Sequence, residues 1–286
     1  MIIFPNCKIN LGLTITGKRA DGYHDIETVF YPVPVKDALE IIPNKKTDFP
    51  KNNTGVGLEI DLTTTGITVD GKPEDNLCAK AYLLLKKDFP SLPSIKVHLH
   101  KTIPLGAGLG GGSANGAFML KALNDQFDLG LSVEQLLGYA LQLGSDCPFF
   151  IINSPCIGSG RGEKLLPILL DLSPYQLVLV NPGIHVNTSW AFSQINQSTT
   201  KATEIPLQQI IADPIETWKA MLVNAFEKPV FEKYPEVKAI KESLYGMGAV
   251  YTSMSGSGSS VYGLFDKNQP VRNNFPDNYL FKNIYL

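Results

Sequence analysis

Glycine is concentrated in one short segment of this chain, residues 104–114, and a helix-like apolar segment over 115–123 follows it directly. Five of the seven residues from 106 to 112 are glycine. Glycine permits positive φ and lets another group approach the backbone closely. When such a loop opens a helix, free N–H groups and the positive end of the helix dipole converge on one point. The segment therefore predicts a phosphate cradle rather than a flexible surface loop.

Two better-known phosphate loops fit this segment less well. A Walker A loop requires lysine and then serine or threonine after its last glycine, and no glycine here is followed by lysine. The dinucleotide fingerprint is present as Gly106, Gly108 and Gly111, but it should follow a buried parallel strand that reads as a continuous apolar run. Residues 95–100 instead alternate like a half-solvated antiparallel strand, and 131–143 reads as a helix where a second strand is needed. The Rossmann match is therefore interpreted as accidental.

Bulk composition limits the classes of partner. The 286 residues suit one large domain or two of ordinary size. A net charge of −2 with 18% charged residues gives no strong field for nucleic acid or an anionic membrane. No apolar run is long enough to span a membrane, and residues 1–5 lack the features of a signal peptide. We expect a soluble, cytoplasmic protein with small-molecule substrates and no nucleic-acid or membrane partner.

Cysteine and histidine give no metal-site or disulfide pattern. The cysteines are isolated from one another and form no C-x-x-C pair, so buried, reduced thiols are expected at Cys7, Cys78, Cys147 and Cys156. His98 and His100 share one face of a predicted strand, but no third ligand lies nearby in sequence. A solvated strand face is the preferred interpretation of this pair.

Periodicity and turn residues predict mixed elements in the first half of the chain. Strands are predicted at 9–15, 26–31, 38–42, 58–63, 66–69 and 95–100, and a polar surface loop at 43–57. Asp75 and Asn76 can cap a helix over 77–87. Ser132 with Gln135 resembles a capping box for a helix that ends at Gly144.

The second half predicts a further α+β unit. A hairpin is predicted around 158–162, helices at 190–194, 215–226 and 237–245, and strands at 176–180, 249–254 and 260–265. The last two strands flank a second glycine loop at 255–259, and no motif is found after Phe265. We expect the functional site in a cleft between the two units.

Two charged residues stand out in apolar surroundings. Asp146 is a lone carboxylate in the apolar segment 143–150, where it is either a helix or turn cap or a functional group in a pocket of low dielectric constant. Lys8 lies on an otherwise apolar strand, and alone it would be read as an ordinary solvent-facing lysine. Together they suit phosphoryl transfer, because an ammonium can keep a desolvated carboxylate ionised while the carboxylate accepts a hydroxyl proton.

With these residues in view, the chain resembles the GHMP kinase superfamily, named for galactokinase, homoserine, mevalonate and phosphomevalonate kinases. Three motifs match in order, at 8–11, 104–114 and 253–260. Within the superfamily, residues 17–24 and 143–150 are similar to the signature of members whose substrate is a cytidine diphosphate-linked polyol of isoprenoid precursor biosynthesis. The resemblance covers nearly the whole chain and weakens after Phe265. One departure is Cys7, where members often have alanine.

The resemblance implies an α+β GHMP kinase fold with a ribosomal protein S5 domain 2-like N-terminal unit and a ferredoxin-like C-terminal unit, bounded at 1–157 and 158–286. It implies an ATP-dependent kinase acting on the 2-hydroxyl of the polyol, with Mg²⁺ accompanying the nucleotide, as a monomer or weak homodimer. Asp146 becomes the catalytic base and Lys8 its partner. The implied ATP-binding residues are Asn76, Lys101, Pro104, Leu105, Gly106, Ala107, Gly108, Leu109, Gly110, Gly111, Gly112, Ser113, Ala114 and Asn115. The implied substrate-binding residues are Asn10, Tyr23, His24, Pro182 and Thr188.

Three functional hypotheses remain open at this point. The first is a kinase for the cytidine-linked polyol, which Tyr23 and His24 favour, because an aromatic face supports any base and a ring nitrogen can distinguish base edges. The alternative for these two residues is a turn packed on the surface. The second hypothesis is a GHMP kinase for another small alcohol, such as homoserine or mevalonate, which needs no stacking platform. The third is a catalytically silent nucleotide-binding protein, against which Lys8 and Asp146 together argue.

In the glycine loop, Gly111 is expected to need positive φ and to leave space for the phosphates.

Overall fold

The computed structural model describes residues 1–44, 59–69, 71–195 and 205–286, and the chain forms two compact units. The first unit comprises Met1–Cys7, Val35–Ile103 and Gly111–Asn153, and the second comprises Lys8–Pro34, Pro104–Gly110 and Ser154–Leu286. The predicted domains 1–157 and 158–286 differ from this division, because they assign residues 8–34 and 104–110 to the N-terminal domain. As a division into family domains, that boundary stays a prediction.

The described strands and helices follow one another largely in runs along the chain. The strands are β1 (Ile2–Ile3), β2 (Asn6–Lys18), β3 (His24–Lys36), β4 (Ala38–Pro43), β5 (Ile60–Gly66), β6 (Ile95–Lys101), β7 (Cys156–Ser159), β8 (Lys164–Pro167), β9 (Tyr175–Asn181), β10 (Tyr251–Met254), β11 (Val261–Asp266) and β12 (Leu280–Tyr285). The helices are α1 (Leu77–Asp88), α2 (Gly111–Gln126), α3 (Val133–Leu143), α4 (Cys147–Ile152), α5 (Thr188–Ser193), α6 (Leu207–Ala212), α7 (Trp218–Met221), α8 (Glu227–Lys233) and α9 (Pro235–Gly246), with 3₁₀ turns at Pro73–Asp75 and Ile215–Thr217. This mixture confirms the predicted α+β class.

The first unit combines a four-stranded sheet with α1 to α4. The sheet order is β1-β4-β6-β5, with β5 parallel to β6 and the other neighbours antiparallel. Along β6 the apolar residues are buried while His98 and His100 are exposed, which confirms the predicted alternation. Asn76 caps α1 through its side chain, and Ser132 and Gln135 form the predicted capping box of α3.

The second unit contains two four-stranded sheets. One has the order β2-β3-β7-β8, and its last two strands form the predicted hairpin. The other is antiparallel with the order β10-β11-β9-β12. When only the four strands of this sheet are counted, that order is second-third-first-fourth, the topology of a ferredoxin-like sheet. Its core joins β2 and β9 to α8 and α9 through residues such as Leu13, Val178, Val230 and Ile240.

One element prediction differs from the structure in the first half of the chain. The strand predicted at 66–69 does not form, because Gly66 has φ +81° and a Cβ there would lie 2.2 Å from the carbonyl oxygen of Lys101. The strand start at Leu58 and most of the loop predicted at 43–57 lie outside the described residues. The strand predicted at 9–15 forms as part of β2, and the polar side chains Lys8 and Asn10 that it carries are buried.

One further prediction fails in the second half, and a segment without a predicted element forms a strand. The helix predicted over 215–226 breaks after Met221, because residues 222–225 pair with β2 instead: the amide of Leu13 donates to Val223 O at 2.9 Å, and the amide of Ala225 donates to Leu13 O at 2.8 Å. The segment after Phe265, which showed no motif, supplies the edge strand β12 beside β9. Both outcomes come from pairing with distant segments, which periodicity does not reveal.

Candidate active site

The glycine loop has the backbone pattern of an anion-binding nest. Gly106, Gly108 and Gly110 have φ values of +60°, +77° and +69°, whereas Ala107 and Leu109 between them stay at negative φ. Alternation of left- and right-handed residues turns successive N–H groups to one side of the chain, which creates a concavity suited to anions. The regular spacing of the glycines in sequence is thus explained by their conformations.

Three consecutive carbonyl oxygens of this loop are held by the surrounding protein. Ala107 O accepts the amide of Ser260 at 3.2 Å, and Gly108 O accepts the hydroxyl of Ser255 at 2.8 Å. Leu109 O accepts the amide of Lys8 at 3.0 Å. One donor lies in β2, and the other two are at residues 255 and 260, at either end of the second glycine loop. Two segments distant in sequence therefore fix one face of the first glycine loop.

The opposite face of the first glycine loop therefore presents backbone amides. In a trans peptide the C=O and the following N–H point in opposite directions. The amides of Gly108, Leu109 and Gly110 therefore point away from these tethers, and within the described residues they donate to no protein acceptor. An anion with several oxygens is the ligand that this row of donors can satisfy.

Gly108 is required by close backbone approach as well as by conformation. A Cβ at this position would lie 1.8 Å from the carbonyl oxygen of Ser255. At Gly106 the corresponding atom would lie 2.2 Å from Nδ1 of His185, whose ring covers that glycine. These two glycines therefore serve the packing of the second unit and the shape of the nest together.

The next two glycines open α2 and differ from one another. Gly111 is not among the residues of positive φ, and a Cβ there would meet Ile103 Cγ2 at 2.8 Å. The expectation that Gly111 needs positive φ is therefore wrong, and its lack of a side chain serves packing against Ile103. Gly112 is partly exposed, with nothing within 4 Å of an added Cβ. Of this pair, Gly112 is the better place to probe a ligand.

Lys8 and Asn10 form a buried polar pair on β2. Lys8 is 4% exposed, and its Nζ donates to Asn10 Oδ1 at 2.5 Å and lies 5.0 Å from the centroid of Phe30. Asn10 Nδ2 donates to Thr28 Oγ1 at 3.0 Å, and Asn10 O accepts the hydroxyl of Tyr262 at 2.8 Å. An ammonium held this deeply is unlike an ordinary solvent-facing lysine.

Asp146 immediately precedes α4 in the first unit, whereas Lys8 belongs to the second. Although it occupies the N-cap position, its backbone is in the right-handed helical region and its side chain makes no capping hydrogen bond. The interpretation as a helix cap is therefore wrong. The neighbouring thiol of Cys147 is buried, and this burial raises its pKa to about 12, so the thiol stays protonated at neutral pH.

The turn carrying Tyr23 and His24 presents aromatic faces. Tyr23 is 56% exposed, with the guanidinium of Arg161 5.2 Å from its ring centroid. Asp21 Oδ1 accepts the Tyr23 amide at 3.1 Å, and this hydrogen bond lowers the pKa of Asp21. His24 stacks on Phe192, with centroids 5.0 Å apart and planes 13° apart. Sequence reasoning missed Phe192, since a single aromatic in a short helix carries no signal.

Lys101 and Asn115 belong to a buried network centred on Asp37. Lys101 Nζ donates to Asp37 Oδ2 and, at 2.9 Å, to Asn115 Oδ1, while Asn115 Nδ2 donates to Asp37 Oδ2 at 2.9 Å. Asp37 Oδ1 accepts the amides of Thr102 and Ile103 at 2.7 and 2.9 Å. Lys101 and Asp37 are 1% and 0% exposed. The contacts present thus fix the chain between β6 and the glycine loop, and sequence reasoning missed Asp37.

The other residues assigned by resemblance have local roles. Asn76 Oδ1 accepts the amide of Cys78 at 2.9 Å, and Asn76 lines a pocket of the first unit with Leu62, Thr64 and Lys72. Thr188 Oγ1 lies 3.0 Å from Ser257 Oγ in the second glycine loop.

Pro182 is buried directly after β9. At the end of that strand, Asn181 Nδ2 donates to Ser260 Oγ at 3.0 Å and to Ser259 Oγ at 3.2 Å. The start of this segment is therefore tied to the second glycine loop.

Other polar groups of the described residues were compared with the pattern of a metal site. Thr65 Oγ1 lies 2.8 Å from His98 Nε2 and 3.0 Å from His100 Nδ1 on the exposed sheet face. The described residues contain no group of three or more His, Cys, Asp or Glu side chains placed to hold a metal ion.

The cysteines are free and buried, as predicted. Within the described residues, none of the helices combines the length and apolar character that crossing a membrane requires.

Comparison with known proteins decides the family. The GHMP kinases N terminal domain model matches residues 76–154, and the GHMP kinases C terminal model matches 209–279. A 4-diphosphocytidyl-2-C-methyl-D-erythritol kinase of Bacteroides fragilis is 50% identical over 273 residues, covering 95% of this chain and 94% of its own. The chain belongs to the 4-diphosphocytidyl-2-C-methyl-D-erythritol kinase family of GHMP kinases. A kinase of the same name from Parabacteroides distasonis is 46% identical over 286 residues, covering 100% of this chain and 98% of its own.

Solved structures agree with membership of this kinase family. A crystal structure of a 4-(cytidine 5′-diphospho)-2C-methyl-D-erythritol kinase matches with TM-score 0.77 and 29% identity, covering 93% of this chain and 91% of its own. The mevalonate kinase of Methanococcus jannaschii matches with TM-score 0.65 and 14% identity, covering 94% and 92% of the two chains, which shows the shared GHMP kinase fold alone. The fold predicted from the three motifs is confirmed.

Proposed function

We propose that this protein transfers the γ-phosphoryl group of ATP to the 2-hydroxyl of 4-diphosphocytidyl-2-C-methyl-D-erythritol, in the non-mevalonate route to isoprenoid precursors. The observation that carries the kinase chemistry is the nest at residues 106–110, with its amides turned outward by three tethered carbonyls. The acceptor substrate is supported by relatives of about the same length that carry this name. A homoserine or mevalonate kinase has no use for the exposed aromatic turn at Tyr23.

The nest and the first turn of α2 would hold the phosphates of ATP. Their backbone amides suit the oxygens of the β- and γ-phosphates, and the helix dipole adds attraction at the same end. We retain the assignment of residues 104–114 to the nucleotide on this basis. We also retain Asn76 on account of the pocket it lines. Lys101 and Asn115 would act on the nucleotide through the position of the loop, since their polar atoms are engaged with Asp37.

Asp146 would accept the proton of the 2-hydroxyl as its oxygen attacks the γ-phosphorus and ADP leaves. This role is supported by the position of the carboxylate in the turn that leads into the buried residues of α4. Lys8 would orient the acceptor oxygen through its ammonium. Its buried hydrogen bond to Asn10 holds the ammonium in one place, as a positioning role requires. Asn10 would thus act beside Lys8 on the substrate side.

Magnesium would accompany the nucleotide rather than occupy a protein cage. Mg²⁺ is commonly held by phosphates and waters with one or two protein oxygens, which fits a site without a cluster of three ligating side chains among the described residues. Ser113, in the first turn of α2, is the hydroxyl that we assign to it. When bound, the ion would neutralise charge on the β- and γ-phosphates.

Tyr23, His24 and Phe192 would form the cytosine site. The exposed ring of Tyr23 offers a stacking face, while the stack on Phe192 fixes the plane of the His24 ring and therefore the direction of its nitrogens. Thr188, beside Ser257, and Pro182 would lie further along the substrate.

A substrate panel with labelled ATP tests the proposal. We expect turnover with the cytidine substrate and values of kcat/KM lower by about tenfold or more for its uridine analogue and for uncapped methylerythritol phosphate. Homoserine and mevalonate should remain unphosphorylated. Equal turnover of the capped and uncapped alcohols would refute the assignment of the aromatic turn to cytosine.

A further inference from the structure

Asn224 is a buried amide with no part in the roles assigned above. Its side chain is 4% exposed, and Nδ2 donates to Met254 O at 2.7 Å and to Gly256 O at 2.8 Å. Its Oδ1 accepts the amide of Phe226 at 2.9 Å. The two carbonyls that Nδ2 bridges are those on either side of Ser255. Asn224 therefore clamps the backbone of that serine from both sides.

Ser255 in turn contacts the nest. Its hydroxyl donates to Gly108 O at 2.8 Å and accepts the amide of Asn10 at 3.2 Å. Its own carbonyl accepts the amide of Gly258 at 3.0 Å, which closes the second glycine loop. The position of the Ser255 hydroxyl is thus set by its backbone. That backbone is held by Asn224 from outside the loop and by the hydrogen bond from the Ser255 amide to Ser260 O at 2.9 Å.

Glu227, three residues after Asn224, anchors the same segment. Its Oε1 accepts the amide of Met254 at 2.9 Å and the hydroxyl of Ser253 at 3.2 Å, and its Oε2 pairs with Lys241 at 2.6 Å. The carboxylate holds the strand that leads into the loop, whereas the amide of Asn224 reaches the loop itself. Because the helix predicted over 215–226 ends at Met221, Asn224 lies outside a helix, and its side chain contacts the second glycine loop.

We propose that Asn224 is a positioning residue for the ATP phosphates, acting through Ser255 on the carbonyl of Gly108. This inference rests on the proposed kinase function. Without the clamp, Ser255 loses its fixed place and the Gly108 carbonyl is free to rotate toward the anion. A carbonyl oxygen in the nest repels phosphate, and the same rotation turns the amide of Leu109 away. Nucleotide binding should weaken by more than binding of the cytidine substrate, because Ser255 contacts the Gly108 carbonyl at 2.8 Å but reaches the substrate side only through the amide of Asn10.

Gln176 provides a matched control within the same unit. It is 1% exposed, and its Nε2 also donates to two backbone carbonyls, those of Asp266 and Gln269. Those carbonyls lie at and beyond the end of β11, whereas the second glycine loop precedes its start. Gln176→Ala thus removes a buried amide bridge of the same kind, with no link to the nest.

The experiment compares Asn224→Ala with Gln176→Ala and wild type. Affinity for a non-hydrolysable ATP analogue is measured by calorimetry, KM is measured for both substrates, and denaturant unfolding reports stability. We expect Asn224→Ala to weaken analogue binding and raise the ATP KM by about tenfold, with a smaller rise in the cytidine-substrate KM. Gln176→Ala should lose comparable stability with both KM values within about twofold of wild type.

Ser255→Ala supplies a second test that removes only the hydroxyl, in case Asn224→Ala does not fold. It should weaken analogue binding by about fivefold. Analogue affinity within about twofold of wild type in Asn224→Ala, or in Ser255→Ala where the first does not fold, overturns the proposal, as does an equal loss in Gln176→Ala. Wild type that binds the analogue but phosphorylates no cytidine substrate would refute only the acceptor assignment, because the analogue still tests the clamp.

Discussion

Replacing Lys101 with methionine separates a structural role from direct contact with the nucleotide. Lys101→Met keeps the length of the side chain but leaves the carboxylate of Asp37 buried without its cation, at 0% exposure. Removing one partner of a buried ion pair typically costs about 3–5 kcal/mol. Three donors to Asp37 remain, the amides of Thr102 and Ile103 and the side chain of Asn115, so we expect the lower part of that range.

The assay is thermal and denaturant unfolding of wild type, Lys101→Met and the double variant Lys101→Met/Asp37→Asn. A loss of about 3 kcal/mol corresponds to a fall in Tm of about 6–12 °C for a chain of this size. Asparagine at position 37 still offers an oxygen to the two amides but carries no charge. The double variant should therefore recover about 1 kcal/mol or more relative to Lys101→Met.

The same variants decide between the two interpretations of Lys101. If Lys101 only contacts the nucleotide and does not stabilise the fold, Lys101→Met should have the Tm of wild type and a raised ATP KM. The double variant should then show no recovery of stability. Unchanged unfolding of Lys101→Met would therefore refute the reasoning from the buried pair. Because the chain has two compact units, the unfolding transitions should be checked for coincidence between probes before free energies are compared.

Three further predictions concern the proposed chemistry. Asp146→Asn should lower kcat by about two to four orders of magnitude while the affinity for an ATP analogue, measured by calorimetry, stays near wild type; turnover within a few-fold would remove Asp146 from the mechanism. Gly112→Val should weaken analogue binding with little change in Tm, because an added Cβ meets no protein atom within 4 Å, whereas Gly111→Val should lower Tm through its clash with Ile103. Tyr23→Ala should raise KM for the cytidine substrate by about ten- to a hundredfold with an unchanged ATP KM in steady-state kinetics, and combination with Phe192→Ala should give less than the product of the two effects.

Local pattern was sufficient for most of the elements and for the turn made by the glycine loop. The five glycines of residues 106–112 predicted left-handed backbone conformations, which Gly106, Gly108 and Gly110 adopt, because positive φ is a local property. The caps at Asn76 and Ser132 were predictable for the same reason, since each bonds a backbone amide within three residues.

Residues that act through distant contacts could not be predicted in this way. Asp37 lies more than sixty residues from its partner Lys101, and Ser255 lies 147 residues from Gly108. Asn224 lies in a segment with helical periodicity, and pairing with Leu13 breaks that helix. Their roles depend on which segments the fold brings together, and neither spacing nor propensity encodes that.

The position of the transferred phosphate tests the central claim most directly. Carbon 2 of the proposed acceptor bears a methyl group and no hydrogen, so its phosphate has no three-bond coupling to a carbinol proton. Incubation of wild type with ATP and the cytidine substrate, followed by proton-coupled phosphorus NMR, should show ADP and a new phosphomonoester resonance without such coupling. A resonance split by carbinol protons would place the phosphate on another hydroxyl, and ADP formed without a new phosphomonoester would contradict the proposed transfer altogether.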